Sequence, residues 1–272
     1  MRTIFLPLLF LFSLSIQAQP STQVFINLEM AKTIATYSLH FQQDSTNPSS
    51  IRKIDMLLFI GENISKFMSK STYMNDTITR KFSSFEQEQA YYLNPQRPMP
   101  NFIYQIFKNY PQSKLTYTEY IPSNYFRFEE DLDLFHWQLT GDTATVCGYK
   151  SQKATCNFGG RSWVAWFAPE LPYSDGPYKF NGLPGLIVKV GDTRNHYVFE
   201  LLSIGKPANT IMIDIKDTQY VKTTKLEFFK AQDAFREDIV NRARQASPDN
   251  DFQQTVAKNM ASRNNPIELK RK

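Results

Sequence analysis

The three histidines of the sequence, His40, His136 and His196, are the side chains best suited to bind zinc or to act as a general base. Each lies alone in a segment with strand character, whereas zinc requires three or four nitrogen or sulfur ligands at defined spacing. No Gly-x-Ser-x-Gly sequence occurs, and the pairing of Asp192 with His196 is the best that the sequence offers for an acid and a histidine. We therefore predict no metal site and assign no catalytic residues. A catalytic triad can assemble from residues that are distant in sequence, so an enzyme of the hydrolase class, acting in the cell envelope, is kept as the least favoured of three functional hypotheses.

Other ligand-binding patterns are incomplete. The acidic runs 129–133 and 249–251 could supply oxygen ligands, but neither follows the twelve-residue calcium loop with its central glycine. The sequence Gly-Leu-Pro-Gly at 182–185 lacks the lysine of a phosphate-binding loop, and its proline removes an amide donor. The sequence thus predicts no cofactor.

The two cysteines, Cys147 and Cys156, leave two alternatives open. They could form a disulfide across a hairpin that turns near residues 151–152. On one continuous strand they would lie about 30 Å apart and could not meet. A redox centre is disfavoured because no Cys-x-x-Cys occurs.

The most distinctive stretch is 161–190, which contains two of the three tryptophans and four of the fifteen prolines. Residues 161–167 are rich in aromatic and β-branched types and predict a strand, with Trp163 and Phe167 on one face and Trp166 on the other. Prolines then stop regular pairing. In Leu183-Pro184-Gly185-Leu186 the proline and glycine predict a type II turn that leads into a new strand at 186–190.

The aromatic side chains of this stretch have two interpretations. They pack in the core, or they form a surface that binds a ligand or partner. We expect the tryptophans to be buried, and Tyr173 and Tyr178, which flank polar turn residues, to be exposed. The candidate structural or binding residues are Arg161, Trp163, Trp166, Phe167, Pro172, Gly176, Pro177, Tyr178, Phe180, Gly182, Leu183, Pro184, Gly185, Leu186 and Ile187.

The sequence GPYKFNGLPGLIVKV, preceded by GRSWVAWFAPELP, resembles the signature of the GLPGLI family, whose name spells residues 182–187. The segments MLLFIGENISKFMSKSTYMND and NNPIEL resemble further patterns of that family. The resemblance implies an exported protein of Gram-negative bacteria whose function is largely uncharacterised. It brings no catalytic residues. It also implies, by association only, a TonB-dependent outer-membrane transporter as a partner.

Residues 1–18 predict a secretory signal peptide, with Arg2 followed by an apolar run from 4 to 14 and a cleavage site after Ala18. The protein is therefore expected in the periplasm or at the outer membrane. No later run approaches the 18–20 apolar residues of a membrane-spanning helix, so none is predicted in the mature chain. The formal charge of +5 is scattered except for the cluster 270–272, which is poor evidence for nucleic acid binding.

Residues 19–272 predict a single β-rich domain. Short alternating or apolar segments succeed one another from 23 to 215, among them 77–82 and 135–140, with a turn at Gly141-Asp142 and another at 191–195. Apolar residues at helical spacing then predict an amphipathic helix over 223–245 and a second over 251–263. We expect a mainly β (α+β) fold, with a large curved antiparallel sheet forming an open barrel or half-barrel, covered by the C-terminal helix.

The first functional hypothesis is a non-enzymatic accessory or binding protein of the envelope, whose loop 168–185 and sheet concavity contact another protein or a ligand. The second is a periplasmic carrier of apolar ligands, such as lipid or lipoprotein acyl chains. That alternative predicts an apolar cavity of at least about 300 Å³.

Overall fold

The computed structural model describes residues 24–246 and 249–270, and the predicted signal peptide lies outside these ranges. The first seven strands are β1 Phe25–Met30, β2 Thr33–Gln42, β3 Ile51–Ile60, β4 Ser65–Ser69, β5 Gln105–Lys108, β6 Lys114–Ile121 and β7 Asn124–Asp131. The next seven are β8 Gln138–Val146, β9 Tyr149–Phe158, β10 Arg161–Ala168, β11 Leu186–Asp192, β12 Tyr197–Gly205, β13 Met212–Lys216 and β14 Tyr220–Lys222. The helices are α1 Lys70–Thr79, α2 Phe85–Leu93, α3 Lys225–Ala246 and α4 Asn250–Ala261, with a 3₁₀ turn at Pro48–Ser50.

Twelve strands form one sheet in the order β14-β7-β6-β5-β4-β3-β2-β12-β11-β10-β9-β8. Neighbouring strands are antiparallel except for β14 and β7, which are parallel. Within the described residues the end strands β14 and β8 do not pair with each other, so the sheet is open and no closed barrel forms. The remaining strands, β1 and β13, form a separate antiparallel pair. The predicted fold class is thereby confirmed.

The large sheet is buried on both faces at its centre. In β3, Met56 and Leu58 belong to the larger core, whereas the intervening Leu57 and the following Phe59 belong to a smaller one. Successive side chains of a strand point to opposite faces, so these two clusters lie on opposite sides of the sheet. Ile213 and Ile215 of β13 complete the smaller core, and the 161–190 segment contributes to the larger.

The C-terminal helices contact the larger core mainly through the start of α3. Phe228 is fully buried, with its ring 5.4 Å from those of Tyr117 and Phe128. The predicted helix bounds are close to those observed. In the first turns of α3, Leu226 is 43% exposed, whereas Phe229 is buried.

The strand predicted over residues 77–82 does not form, and the strand predicted over 135–140 begins only at Gln138. Residues 77–79 lie in α1, and 80–82 follow it without strand structure. The side chain of Ser69 accepts a hydrogen bond from the Thr72 amide and caps that helix, which favours a helical start over continued strand pairing. A second short helix, α2, was not predicted. It begins after the capping residue Ser84.

The turn predicted at Gly141-Asp142 is a register shift inside β8, between Leu139 and Thr143. The hairpin instead turns at Cys147 and Gly148, which both adopt positive φ, at 51° and 85°. Positive φ at both central residues is the geometry of a tight two-residue β-hairpin. The chain therefore reverses six residues later than predicted.

Both cysteines are free in the structure, so the disulfide considered from the sequence is absent. Cys147 lies in the hairpin turn and Cys156 lies far along β9. At about 3.3 Å per strand residue, the rise from Tyr149 to Cys156 alone spans about 23 Å. The two sulfur atoms are therefore too distant to bond.

Candidate functional site

Arg161, at the start of β10, binds the segment that resembles the family pattern near the C-terminus. Its Nη1 lies 3.0 Å from Oδ2 of Asp192, and its Nε donates to the carbonyl of Ile267 at 2.9 Å. Its Nη2 donates to Oδ1 of Asn265 at 2.7 Å and to the carbonyl of Pro266 at 2.6 Å. Arg161 and Asp192 are both buried. The guanidinium thus joins residues 265–267 to Asp192 of the sheet.

Further hydrogen bonds extend this attachment. The Tyr197 hydroxyl donates to the carbonyl of Asn265 at 2.6 Å, and the Asn265 amide donates to the carbonyl of Gln42 at 2.7 Å. The Gly159 carbonyl accepts from the amides of Leu269 and Lys270. The segment 264–270 therefore belongs to the folded core even though it forms no helix or strand.

A buried ionic cluster, formed by Glu130, Lys179, Lys225 and Glu268, lies beside this attachment. Lys179 is fully buried and pairs with Glu130 and with Oε1 of Glu268, the latter at 2.6 Å. Lys225 pairs with the same two acids. The Tyr178 hydroxyl donates to Oε1 of Glu268 at 2.6 Å. The ionic cluster thus joins the 161–190 segment, β7, α3 and the C-terminal segment.

The pKa of Glu268 reflects this balance. Burial alone would raise it, but the charges of Lys179 and Lys225 outweigh burial and hold the pKa below its usual value. The pKa of Lys225 is raised, because the attraction of Glu268 and Glu130 exceeds the opposing effect of burial. Both groups are therefore charged at neutral pH, and their role here is structural.

A second buried lysine holds the loop between β10 and β11 from inside. The Lys108 ammonium pairs with Asp175 and donates to the carbonyls of Gly176 and Phe180. Trp163 packs on the Phe180 ring at a centroid distance of 4.7 Å and donates its indole N–H to the Phe158 carbonyl at 3.0 Å. The loop is therefore fixed by buried polar contacts as well as by its prolines.

The structure divides the fifteen candidate residues of 161–190 by burial. Buried are Arg161, Trp163, Phe167, Gly176, Pro177, Tyr178, Phe180, Leu183, Gly185, Leu186 and Ile187. Exposed are Pro172, Gly182 and Pro184, and Trp166 is half-buried on the opposite face of β10. The expectation of two fully buried tryptophans therefore holds for Trp163 alone.

The expected exposure of Tyr178 is wrong. Its side chain is 1% exposed, although the residue adopts a φ of 54°, which is unusual for a bulky side chain. The Glu268 carboxylate and the ring of Tyr104, 5.7 Å away, account for its position. Tyr173 is half-buried, with its hydroxyl 2.9 Å from that of Thr33.

The predicted turn has a different form. The Gly185 amide donates to the Leu183 carbonyl at 2.8 Å, so the chain closes a three-residue turn around Pro184 and not a type II turn. Gly185 does adopt the predicted positive φ, at 147°. A Cβ atom added there would lie 2.3 Å from the Ala168 carbonyl oxygen, so only glycine fits.

A half-open cleft of about 410 Å³ lies between the sheet, α3, α4 and the C-terminal segment. Its walls are mostly aromatic and aliphatic, with three arginines and two acids among the polar members. The residues that line it include Phe41, Arg52, Phe102, Tyr104, Tyr117, Glu119, Tyr178, Phe229, Phe235, Arg236, Ile239, Arg263 and Glu268. Tyr178 is the one candidate residue of the 161–190 segment that reaches this cleft.

Glu119 is the carboxyl group of the cleft whose pKa is raised toward neutral pH. Burial raises its pKa to about 7, against hydrogen bonds from Tyr117 and Gln232 and the charge of Arg236, which lower it. Gln232 donates to its Oε1 at 3.2 Å, and the Tyr117 hydroxyl donates to its Oε2. Tyr104, which is buried, also lines the cleft. The cleft thus combines an apolar surface with a few polar groups.

Sequence inspection missed the ionic cluster and the cleft. A charged residue inside an apolar run, as at Lys179 between Tyr178 and Phe180 and at Glu268 between Ile267 and Leu269, was the available signal. Such a residue cannot be buried without a partner, but the sequence does not identify the partner.

A second depression, about 450 Å³ and more polar, brings His136, Cys156 and Ser162 to one surface. The Ser162 hydroxyl donates to Oδ1 of Asn157 at 2.7 Å, and no bond joins it to His136 among the described residues. Burial raises the pKa of Cys156 to about 12, so its thiol is not an activated nucleophile. His196 contacts Arg161 at 3.4 Å, and Asp192 is committed to the same arginine. The residues that line this depression therefore show no nucleophile–base pair.

No cluster of three or more metal-ligating side chains occurs in residues 24–246 and 249–270. Within the same ranges, no helix is both long and apolar enough to cross a bilayer.

The fold and the cleft define a mainly β protein with an open twelve-stranded sheet and a half-open, mostly apolar cleft under its C-terminal helices. Residues 160–189 match the family model described as "Protein of unknown function (Porph_ging)". This model corresponds to the GLPGLI family, and the partial match confirms the resemblance drawn from the sequence.

Two solved structures share the fold, and both are described as PNGF-II, in the P21 and the C2 space group. They superpose with TM-scores of 0.53 and 0.52 at 12% and 13% sequence identity, over 76% of this chain. The aligned part covers 34% and 33% of those chains, so this protein corresponds to about a third of their length. No curated protein matches the sequence.

Proposed function

We propose that the protein is a non-enzymatic, exported accessory protein of the cell envelope, a single domain over residues 19–272, that binds an apolar molecule in the cleft. The observation that carries the proposal is the cleft itself. Its volume of about 410 Å³ lies within the range of about 300–1,000 Å³ that small-molecule sites occupy. Its walls are aromatic, which suits an apolar ligand.

The chemistry around the cleft supports binding over catalysis. Glu119 is held by Tyr117 and Gln232, and none of the described residues that line the cleft is a histidine, cysteine or serine. The Glu268 carboxylate is committed to the ionic cluster. A carrier of lipid or lipoprotein acyl chains is therefore the form of the proposal that the cleft supports best.

The loop 168–185 supports contact with an envelope protein less well, because most of its candidate residues are buried. Its exposed part, with Pro172, Gly182 and Pro184, is small. A TonB-dependent transporter as partner rests on the family resemblance alone.

The test is a titration with the neutral fluorescent probe N-phenyl-1-naphthylamine, after delipidation of the purified protein. We expect saturable binding, and a rise in melting temperature when the probe is bound. Ile239→Trp should fill the cleft and weaken binding at least tenfold. The matched control is Leu226→Trp on the same helix, which is exposed and does not line the cleft. A lack of saturable binding to the unmodified protein, or equal binding by both variants, would contradict the proposal.

A further inference from the structure

The charge at the cleft is strongly one-sided. Three arginines line it, Arg52, Arg236 and Arg263, together with two acids, Glu119 and Glu268. Glu268 is neutralised by Lys179 and Lys225. Glu119 has a pKa of about 7, so at neutral pH it carries only part of a charge. Arg236 pairs with Asp233, so the excess of positive charge beside the apolar walls comes from Arg52 and Arg263.

Two of these guanidinium groups are available to a ligand. Arg52 lies at the start of β3 and Arg263 directly after α4, and both residues are exposed. Neither side chain forms an ion pair or a hydrogen bond with another described residue. Guanidinium groups match carboxylate and phosphate in geometry and bind them through paired hydrogen bonds. The mouth of the cleft thus offers two free anion-binding groups.

The interior of the cleft suits an apolar chain. Phe41, Phe102, Phe229 and Phe235 supply ring surfaces, and the ring of Tyr104 lines the cleft with them. A volume of about 410 Å³ is near the lower end for small-molecule sites, which favours one chain over two.

We propose that the cleft binds a single-chain amphiphile with an anionic head, whose chain lies on the phenylalanine rings and whose head contacts Arg52 and Arg263. This inference rests on the proposed function and specifies its ligand class. A fatty acid and a lysophospholipid would share this chemistry, since both combine one apolar chain with an anion. An amine head is disfavoured, because Glu119 already accepts hydrogen bonds from Tyr117 and Gln232.

The experiment is competition against the bound neutral probe N-phenyl-1-naphthylamine. The competitors share a twelve-carbon chain and differ in the head: dodecanoate, dodecyl phosphate, dodecanol and dodecyltrimethylammonium, all below their micellar concentrations. We expect one or both anions to displace the probe at concentrations at least tenfold lower than the cation, with dodecanol between them. The preference should weaken in high salt, because exposed charges are screened. The anion that competes better distinguishes a carboxylate ligand from a phosphate ligand.

The variant that tests the assignment is Arg52→Gln combined with Arg263→Gln. It should retain binding of the neutral probe but lose the preference for the anions. The matched control is Arg194→Gln, an exposed arginine outside the cleft, which should retain the preference. This inference is wrong, while the proposed function stands, if the probe binds but the anions displace it no better than the cation does. It is also wrong if the double variant keeps the preference for the anions. If the neutral probe does not bind to the unmodified protein at all, the proposed function itself fails.

Discussion

Glu268→Gln tests how the C-terminal segment is held. Glu268 is 1% exposed and lies between two ammonium groups, those of Lys179 and Lys225. Glutamine keeps the volume and can still accept from the Tyr178 hydroxyl, but it removes the negative charge. Loss of one partner of a buried ion pair costs about 3–5 kcal/mol, because the remaining charge stays buried and uncompensated. Glu130 continues to neutralise part of the positive charge, so we expect the lower end, about 3 kcal/mol.

The measurement is urea unfolding followed by tryptophan fluorescence. The free energy of unfolding should fall by about 3 kcal/mol per molar urea, since this dependence increases with protein size. The urea midpoint of Glu268→Gln should therefore be lower by about 1 M. The matched control is Glu62→Gln, which removes an acid that pairs with Lys32 at the surface, where its side chain is 69% exposed. Solvent screens that pair, so its midpoint should not move measurably.

A double-mutant cycle separates the ion pair from other effects of the substitution. Lys179→Met removes the opposing charge, so the combined variant should lose clearly less stability than the sum of the two single variants. Equal midpoints for Glu268→Gln and Glu62→Gln would refute the reasoning. So would strict additivity in the cycle, since it would mean that Lys179 and Glu268 do not stabilise each other.

Two further predictions concern the turn and the cleft. Gly185→Ala should lower the free energy of unfolding by about 2–4 kcal/mol, because the added Cβ would meet the Ala168 oxygen at a residue with positive φ. The control is Gly148→Ala, where φ is also positive but the space is open, and it should lower the free energy of unfolding by less in the same melting experiment. Similar losses for both would show that the close approach does not matter. The pKa of Glu119 rises from 4.5 to about 7 on folding, so the native state binds a proton at this carboxyl more tightly than the unfolded state does. The stability that the protonated carboxyl contributes is complete below pH 4.5 and is lost as the pH rises to 7. The pKa difference corresponds to at most about 3 kcal/mol, which the partial exposure of Glu119 reduces to about 1–2 kcal/mol. Glu119→Gln should therefore flatten the profile of stability against pH between pH 4.5 and 7. A profile that the substitution leaves unchanged would contradict the assignment.

Local sequence pattern predicted much of the scaffold. The alternation in residues 161–167 placed Trp163 and Phe167 on the buried face of β10, because side-chain direction in a strand is fixed by backbone geometry. Gly185 was correctly assigned positive φ, since the adjacent proline and the strand that follows require a tight turn. The errors at 77–82 and at Gly141-Asp142 arose where a helix cap or a strand irregularity competed with equally plausible local signals.

The burial of Tyr178 could not be predicted from its neighbours. Its sequence context is a turn with a proline and a glycine, which is typical of an exposed loop. The residue is buried because Glu268, ninety positions later, accepts a hydrogen bond from its hydroxyl, and because Tyr104 packs on its ring. The residues adjacent to Tyr178 in the sequence predict neither contact.

The sequence by itself determined the mainly β class, the C-terminal helices and the rigid bend between β10 and β11, because each depends on the periodicity or the backbone preferences of adjacent residues. Only the tertiary structure decided that Lys179 meets Glu268 and that a cleft opens beside Glu119. Those features join strands, helices and a C-terminal segment that are far apart along the chain. Their energies come from the burial and pairing of charges, and these are set by which segments the completed sheet brings together.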